Sequence, residues 1–133
     1  MGHRIRGMTL VELLIAITVA VIAGVGLLAA YHSILHLTEV SQQSVVALND
    51  LKDMMERMKT TPFTQLTATY PNGVVGAYAG VVGGYTLPNQ QITVTHQPNT
   101  NADPRELIVQ VTWTNRNRNY QRSLSTMRAS RAS

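Results

Sequence analysis

Glu12 is the first residue whose chemistry stands out, because it is the only charged side chain between Met8 and Ala30. A carboxylate inside so apolar a run is costly to place, and such residues usually have a specific partner. We therefore expect Glu12 to be held by a defined group.

Other side chains in the sequence give weaker indications of a functional site than Glu12 does. His32 and His36 lie one helical turn apart and could ligate a metal, but no third ligand is near, and with Tyr31 they are typical of a membrane interface. The chain has no cysteine nucleophile, no serine motif with a matched histidine and acid, and no carboxylate pair placed for acid–base work. We expect no enzymatic activity, metal or cofactor.

The C-terminal region is basic, and across the last strands its arginines are opposed only by Glu106. Trp113 and Tyr120 are interleaved with its arginines, which are Arg116, Arg118, Arg122, Arg128 and Arg131. Three interpretations stay open: a solvated charged hairpin, a contact with acidic residues of a neighbouring subunit, or binding of nucleic-acid phosphates. The acidic residues considered for such a contact are Asp50, Asp53 and Glu56.

The element that must position Glu12 is the apolar run itself. It contains no proline, and at about 1.5 Å per helical residue it can cross a hydrocarbon core of roughly 30 Å. The preceding head, Met1 to Gly7, carries Arg4 and Arg6, which predicts a cytoplasmic N-terminus and export of the remainder. An ordinary N-terminal anchor also fits the run, whereas a secretory signal peptide fits worse because its apolar region would be shorter.

Gly7, Met8 and Glu12, with Thr9-Leu10-Val11 between them, resemble the class III signal sequence of type IV pilin-like proteins. That pattern is a short basic leader ending in glycine, a hydrophobic first mature residue and a glutamate at the fifth mature position. The resemblance implies cleavage after Gly7 by a prepilin peptidase, N-methylation of Met8, and assembly in which Glu12 neutralises a neighbour's N-terminal amine. Met8 replaces the commoner phenylalanine, a feature more familiar in minor pilins and pseudopilins.

We therefore interpret the chain as a structural subunit of a type IV pilus or a type II secretion pseudopilus. We favour a minor subunit over a major one. The implied partners are other pilin-like subunits, the peptidase, an inner-membrane assembly platform and, before assembly, membrane lipid. The implied location is the bacterial inner membrane and then a periplasmic or extracellular filament. The alternative is a bitopic membrane protein whose exported domain binds a ligand or DNA. The net charge of +4, about +2 without the two leader arginines, is modest for a nucleic-acid-binding protein.

Small residues recur every fourth position along the run, at Ala16, Ala20 and Gly24. Such a stripe lets helix backbones approach closely in a membrane. We expect it to be a helix-packing surface.

Residues 31–61 should continue the helix as an amphipathic half, because apolar residues recur in steps of three and four up to Met58. Pro62 should end the helix after Thr60. Three methionines at 54, 55 and 58 could form a soft binding surface, but we favour core packing beneath a small sheet.

The expected organisation is a leader over 1–7, an assembly helix over 8–30, an amphipathic half over 31–61 and a small exported domain over 62–133. In that domain we predict a connector loop ending in a strand near Val81–Leu87, then three strands around 92–96, 107–114 and 120–127 joined as an antiparallel meander. We expect residues 115–119 to form the last hairpin's loop. The fold class is α+β and pilin-like. With no cysteine in the chain, the sheet cannot be cross-linked by disulfides. It should therefore depend on the helix for stability and pack on it with the face that carries Trp113.

Overall fold

The computed structural model describes residues 9–73 and 78–130. Its elements are α1 (Leu10–Thr60), a 3₁₀ turn (Phe63–Gln65), α2 (Leu66–Thr69), β1 (Gln91–Gln97), β2 (Arg105–Asn115) and β3 (Arg118–Arg128). One long helix followed by a small antiparallel sheet confirms the predicted α+β class. The chain divides into two compact units, residues 1–39 and 40–133.

In the first unit, the described residues form one helix with its side chains open to the surroundings. Thr9 is the N-cap, since its carbonyl accepts the first helical hydrogen bond from the Leu13 amide at 3.1 Å. The large apolar side chains between Leu10 and Leu37 are between 46 and 75% exposed. Met8, where we predicted the helix to begin, lies outside the described residues.

The second half of α1 is amphipathic, as predicted. Its buried side chains, which share one face, are Ala47, Leu51, Met54, Met55 and Met58. Met54 and Met58 are fully buried, so these methionines are core residues, and the interpretation of the cluster as a soft binding surface is wrong.

The helix ends at Thr60 as predicted, and its last carbonyls are satisfied from two directions. The Thr61 amide and hydroxyl both donate to the Arg57 carbonyl, at 3.0 and 2.7 Å. The Arg128 guanidinium, from the far end of β3, donates to the carbonyls of Lys59 and Thr61. A cation at a helix C-terminus also complements the helix dipole.

The three strands form an antiparallel sheet in the order β1-β2-β3, which confirms the predicted meander. Alternate residues of β1 and β2 are buried, among them His96 and Trp113. The Trp113 indole donates to the Gln43 side-chain oxygen at 3.0 Å, and the Asn115 amide donates to that oxygen at 2.9 Å. The Trp113 face of the sheet therefore packs on α1, as predicted.

The strand predicted near Val81–Leu87 does not form, and turns occupy those residues instead. Gly83 and Gly84 have φ angles of 82° and 106°, a region that only glycine adopts readily. The amides of Thr86 and Leu87 donate to the Gln90 side-chain oxygen at 3.1 and 3.0 Å rather than to a strand. The sequence analysis predicts extended backbone here, but the glycines and Gln90 determine a turn.

The last hairpin is tighter than predicted, because β2 runs to Asn115 and β3 starts at Arg118. Only Arg116 and Asn117 form the turn, with φ angles of 45° and 64°. Positive φ at both central residues is the requirement of a type I′ turn, whose twist matches the flanking strands. Asparagine tolerates this conformation better than arginine does.

We predict that Met58→Ala lowers the free energy of unfolding of the second unit by about 2–5 kcal/mol, because it leaves a cavity in the core. Met127→Ala is the matched control, since Met127 is 64% exposed and such changes usually stay within about 0.5 kcal/mol. Denaturant titration of the full chain in detergent, followed by fluorescence of the single tryptophan, measures both. Equal midpoints for the two variants would contradict the burial of Met58 in the core.

Candidate functional site

The start of α1 holds Glu12 in a reciprocal capping box with Thr9. The Thr9 amide and hydroxyl donate to one Glu12 carboxylate oxygen at 3.0 and 3.1 Å, and the Glu12 amide donates to the Thr9 hydroxyl at 3.3 Å. This pairing satisfies two of the helix's otherwise unpartnered amide groups. Glu12 therefore has a partner inside its own chain.

The sequence carries the signal for this box, which is threonine followed three residues later by glutamate and then by an apolar run. The cost of a charge in that run predicts only that Glu12 is held by a defined group, and it does not identify Thr9 as that group. A capping box accepts glutamine in the place of glutamate, whereas an ion pair does not. The two roles of Glu12 can therefore be separated by substitution. Gly7 and Met8, the predicted cleavage and methylation residues, lie outside the described residues.

Ala16, Ala20 and Gly24 occur within α1, and no side chain of the described structure packs on Gly24. A Cβ built on Gly24, or on Gly26, meets no atom within 4 Å. Beside Gly24 lies a shallow apolar groove lined also by Leu27, Leu28, Ala30, Tyr31 and Ile34. The space over the glycine is open in the isolated chain.

Hydroxyl groups along the first part of α1 are satisfied by the helix itself. Those of Thr18, Ser33 and Thr38 donate to carbonyls four residues earlier, at 2.8, 3.1 and 2.9 Å. Such hydroxyls need no water as a partner. The helix is long and apolar enough to cross a membrane by length and composition, a test that a signal sequence near the N-terminus also passes.

The aromatic and histidine pair that follows the run gives little chemistry. Tyr31 and His32 meet edge to face, with ring centroids 6.4 Å apart. Across residues 9–73 and 78–130, no three His, Cys, Asp or Glu side chains are grouped so that they could hold a metal ion.

The structure divides the basic C-terminal residues into two groups. Arg116 and Arg118 are exposed at the hairpin turn. Arg122 is exposed but reaches the Ser44 hydroxyl of α1 at 3.3 Å, and Arg128 is engaged at the end of α1. Arg131 lies outside the described residues. The arginine row is therefore partly a set of contacts between sheet and helix.

The aromatic residues beside these arginines do not offer a stacking platform. Trp113 is 1% exposed, and it stacks on Tyr120 with centroids 5.6 Å apart and planes at 21°. Bases that bind to single-strand-binding proteins need exposed ring faces. The buried indole thus argues against the nucleic-acid interpretation of the hairpin.

The acidic residues considered as partners for a basic hairpin also differ from one another. The Asp50 carboxylate accepts a hydrogen bond from the Gln90 side-chain amide, and burial raises the pKa of Asp50 even though that hydrogen bond opposes the shift. Asp53 and Glu56 are exposed on α1. Only the latter two carboxylates are open to a neighbouring molecule.

Comparisons with protein-family models, with curated proteins and with solved structures find no match to this chain.

Proposed function

We propose that the chain is a pilin-like structural subunit that assembles into a type IV pilus or a type II secretion pseudopilus through its N-terminal helix. A minor subunit is favoured over a major one. The observation that carries this proposal is the placement of Glu12. It is the only charge in a run of more than twenty residues, and it lies five positions after Gly7 at the end of a short basic head.

The exposed apolar surface of the first unit supports assembly. Large apolar side chains are open all round α1 from Leu10 to Leu37, and exposed apolar surface of this extent marks contact with a membrane or with other proteins. In the proposed cycle, membrane lipid covers it before assembly and the helices of neighbouring subunits cover it afterwards. Small residues at 16, 20 and 24 would let those helices approach closely.

The proposed role of Glu12 is to select the position of the next subunit. Cleavage after Gly7 by a prepilin peptidase would create an amine at Met8, four residues before Glu12. A carboxylate in a medium of low dielectric interacts strongly with an opposite charge and is costly when unpaired. Pairing with the amine of an offset neighbour would therefore favour assembly, and the capping box would hold the carboxylate near the helix start until then.

The second candidate function is a bitopic anchored domain that binds a ligand or DNA through the hairpin. Exposure of Arg116 and Arg118 favours it, and burial of Trp113 speaks against the DNA version. Processing separates the two functions, because a plain anchor keeps its N-terminal head.

We predict that the mature protein begins at Met8, with an N-methyl group. Intact-mass measurement on protein from a host with an active prepilin peptidase should show the loss of residues 1–7. Gly7→Leu should block that loss, since a bulky side chain replaces the glycine of the cleavage site. A full-length wild-type chain in such cells, or normal cleavage of the variant, would overturn the proposal.

We predict that Glu12→Gln is exported and cleaved but enters filaments poorly, nearly as poorly as Glu12→Ala. Glutamine keeps the capping box and removes the charge, so the defect isolates the ion pair. Thr9→Val is the matched control, because it removes both hydrogen bonds of the Thr9 hydroxyl from the box and keeps the carboxylate. Quantifying each tagged subunit in purified filaments, with terminal sequencing to verify cleavage, measures the effect.

If Glu12→Gln enters filaments at wild-type levels while Glu12→Ala and Thr9→Val both fail, the glutamate acts as a helix cap and the proposed ion pair is wrong.

We predict that Gly24→Leu leaves the subunit folded and reduces its incorporation into filaments, because the new side chain would separate packed helices. Gly26→Leu is the matched control: it makes the same change two residues along, about 200° around the helix. Both positions are open in the isolated chain, so any difference between them arises between molecules. Equal incorporation of the two variants would remove the small-residue stripe from the assembly interface.

A further inference from the structure

β3 lies at an edge of the sheet, and its outer side is unpaired. It bonds to β2 alone, and within residues 9–73 and 78–130 no other strand pairs with it. Its eleven residues match Arg105–Asn115 of β2 one to one without a bulge. One full row of main-chain amide and carbonyl groups is therefore available to a further strand.

Side chains on both faces of β3 are also accessible. Val109 and Val111 of β2 are fully buried, yet their partners across the ladder, Leu124 and Arg122, are exposed, Leu124 by 37%. On the opposite face, Met127 is 64% exposed. The core beneath β2 does not extend under the middle of β3, so an added strand would find apolar groups to cover as well as backbone to pair with.

The charge of β3 determines which strand can be added. The strand carries Arg118, Arg122 and Arg128 and no carboxylate, and it lacks the proline or bulge that protects many edges. Two copies of β3 paired antiparallel about Ser123 would bring Arg118 of each opposite Arg128 of the other, and like charges directly opposite are destabilising. Self-pairing along the full length of β3 is disfavoured, whereas a strand with carboxylates facing Arg118 and Arg122 is favoured.

We propose that β3 is a docking strand, and that its occupant is an extended acidic segment of another protein that adds to the sheet as a fourth strand. Main-chain hydrogen bonds would supply most of the affinity in this mode, and side chains would supply the selection. The proposal is independent of filament assembly through α1, because it uses only the sheet.

The test uses the full chain in non-ionic detergent and a capped peptide of alternating valine and glutamate as the probe. Extended, this peptide places its carboxylates in one row. We expect the amides on the outer side of β3 to exchange at least about tenfold more slowly when the peptide is bound, with β1 amides unchanged. A matched peptide of alternating valine and lysine should give no protection.

Two sets of variants examine the mechanism. Arg118→Gln and Arg122→Gln should each weaken binding about two- to five-fold, as expected for exposed charge pairs, whereas Arg57→Gln on α1 should not. Ser123→Pro and Leu124→Pro remove amides that point to opposite sides of the strand. The substitution that removes an outward-pointing amide should leave the thermal midpoint at the wild-type value, because it breaks no bond to β2. That variant should not bind the acidic peptide.

Three results would overturn the proposal. One is protection of β1 in place of β3, and another is equal binding of the lysine peptide. The third is tight, arginine-dependent binding of a single-stranded oligonucleotide by a chain that does not protect β3 with the acidic peptide, which would make this surface a polyanion site.

Discussion

Burial of one face of α1 against the sheet is the constraint on which the second unit depends. Without cysteines, the sheet has no covalent staple, and a three-stranded meander needs an apolar partner to be stable. Leu51, Met54 and Met58 supply that partner, and Gln43 fixes the fit by accepting hydrogen bonds from both Trp113 and Asn115. The helix is thus part of the core of the small domain and not simply its tether.

Elements with a regular period could be predicted from the sequence, and those determined by single side chains could not. Steps of three and four placed Leu51 and Met58 in the core, and alternation placed β1 and β2. The strand predicted at 81–87 does not form, because the decisive contacts there are the amides that donate to Gln90. A hydrogen bond to a single glutamine produces no repeating pattern of residue types, so it cannot be predicted from periodicity.

At the candidate site, the sequence analysis singled out Glu12 but did not predict its hydrogen bonds with Thr9. The cost of a charge in an apolar run identifies Glu12, but it does not identify the local partner Thr9, although the spacing of the two is that of a capping box. In the proposed assembly, two demands would act on one carboxylate. A glutamate that caps its own helix and, as proposed, also pairs with a neighbour's amine would have to exchange or share hydrogen bonds during assembly, so the box would compete with the interface as well as prepare for it.

The contact of Arg128 with the end of α1 has a consequence for how the chain matures. The guanidinium lies 69 positions after the Lys59 carbonyl that it meets, so α1 is synthesised in full long before its C-terminal carbonyls acquire this partner. Nascent chains that stop short of β3 expose the end of the helix and one edge of β2 together. The contacts of β3 therefore form last, after all the buried core residues, which lie between Ala47 and Asn115, have been synthesised.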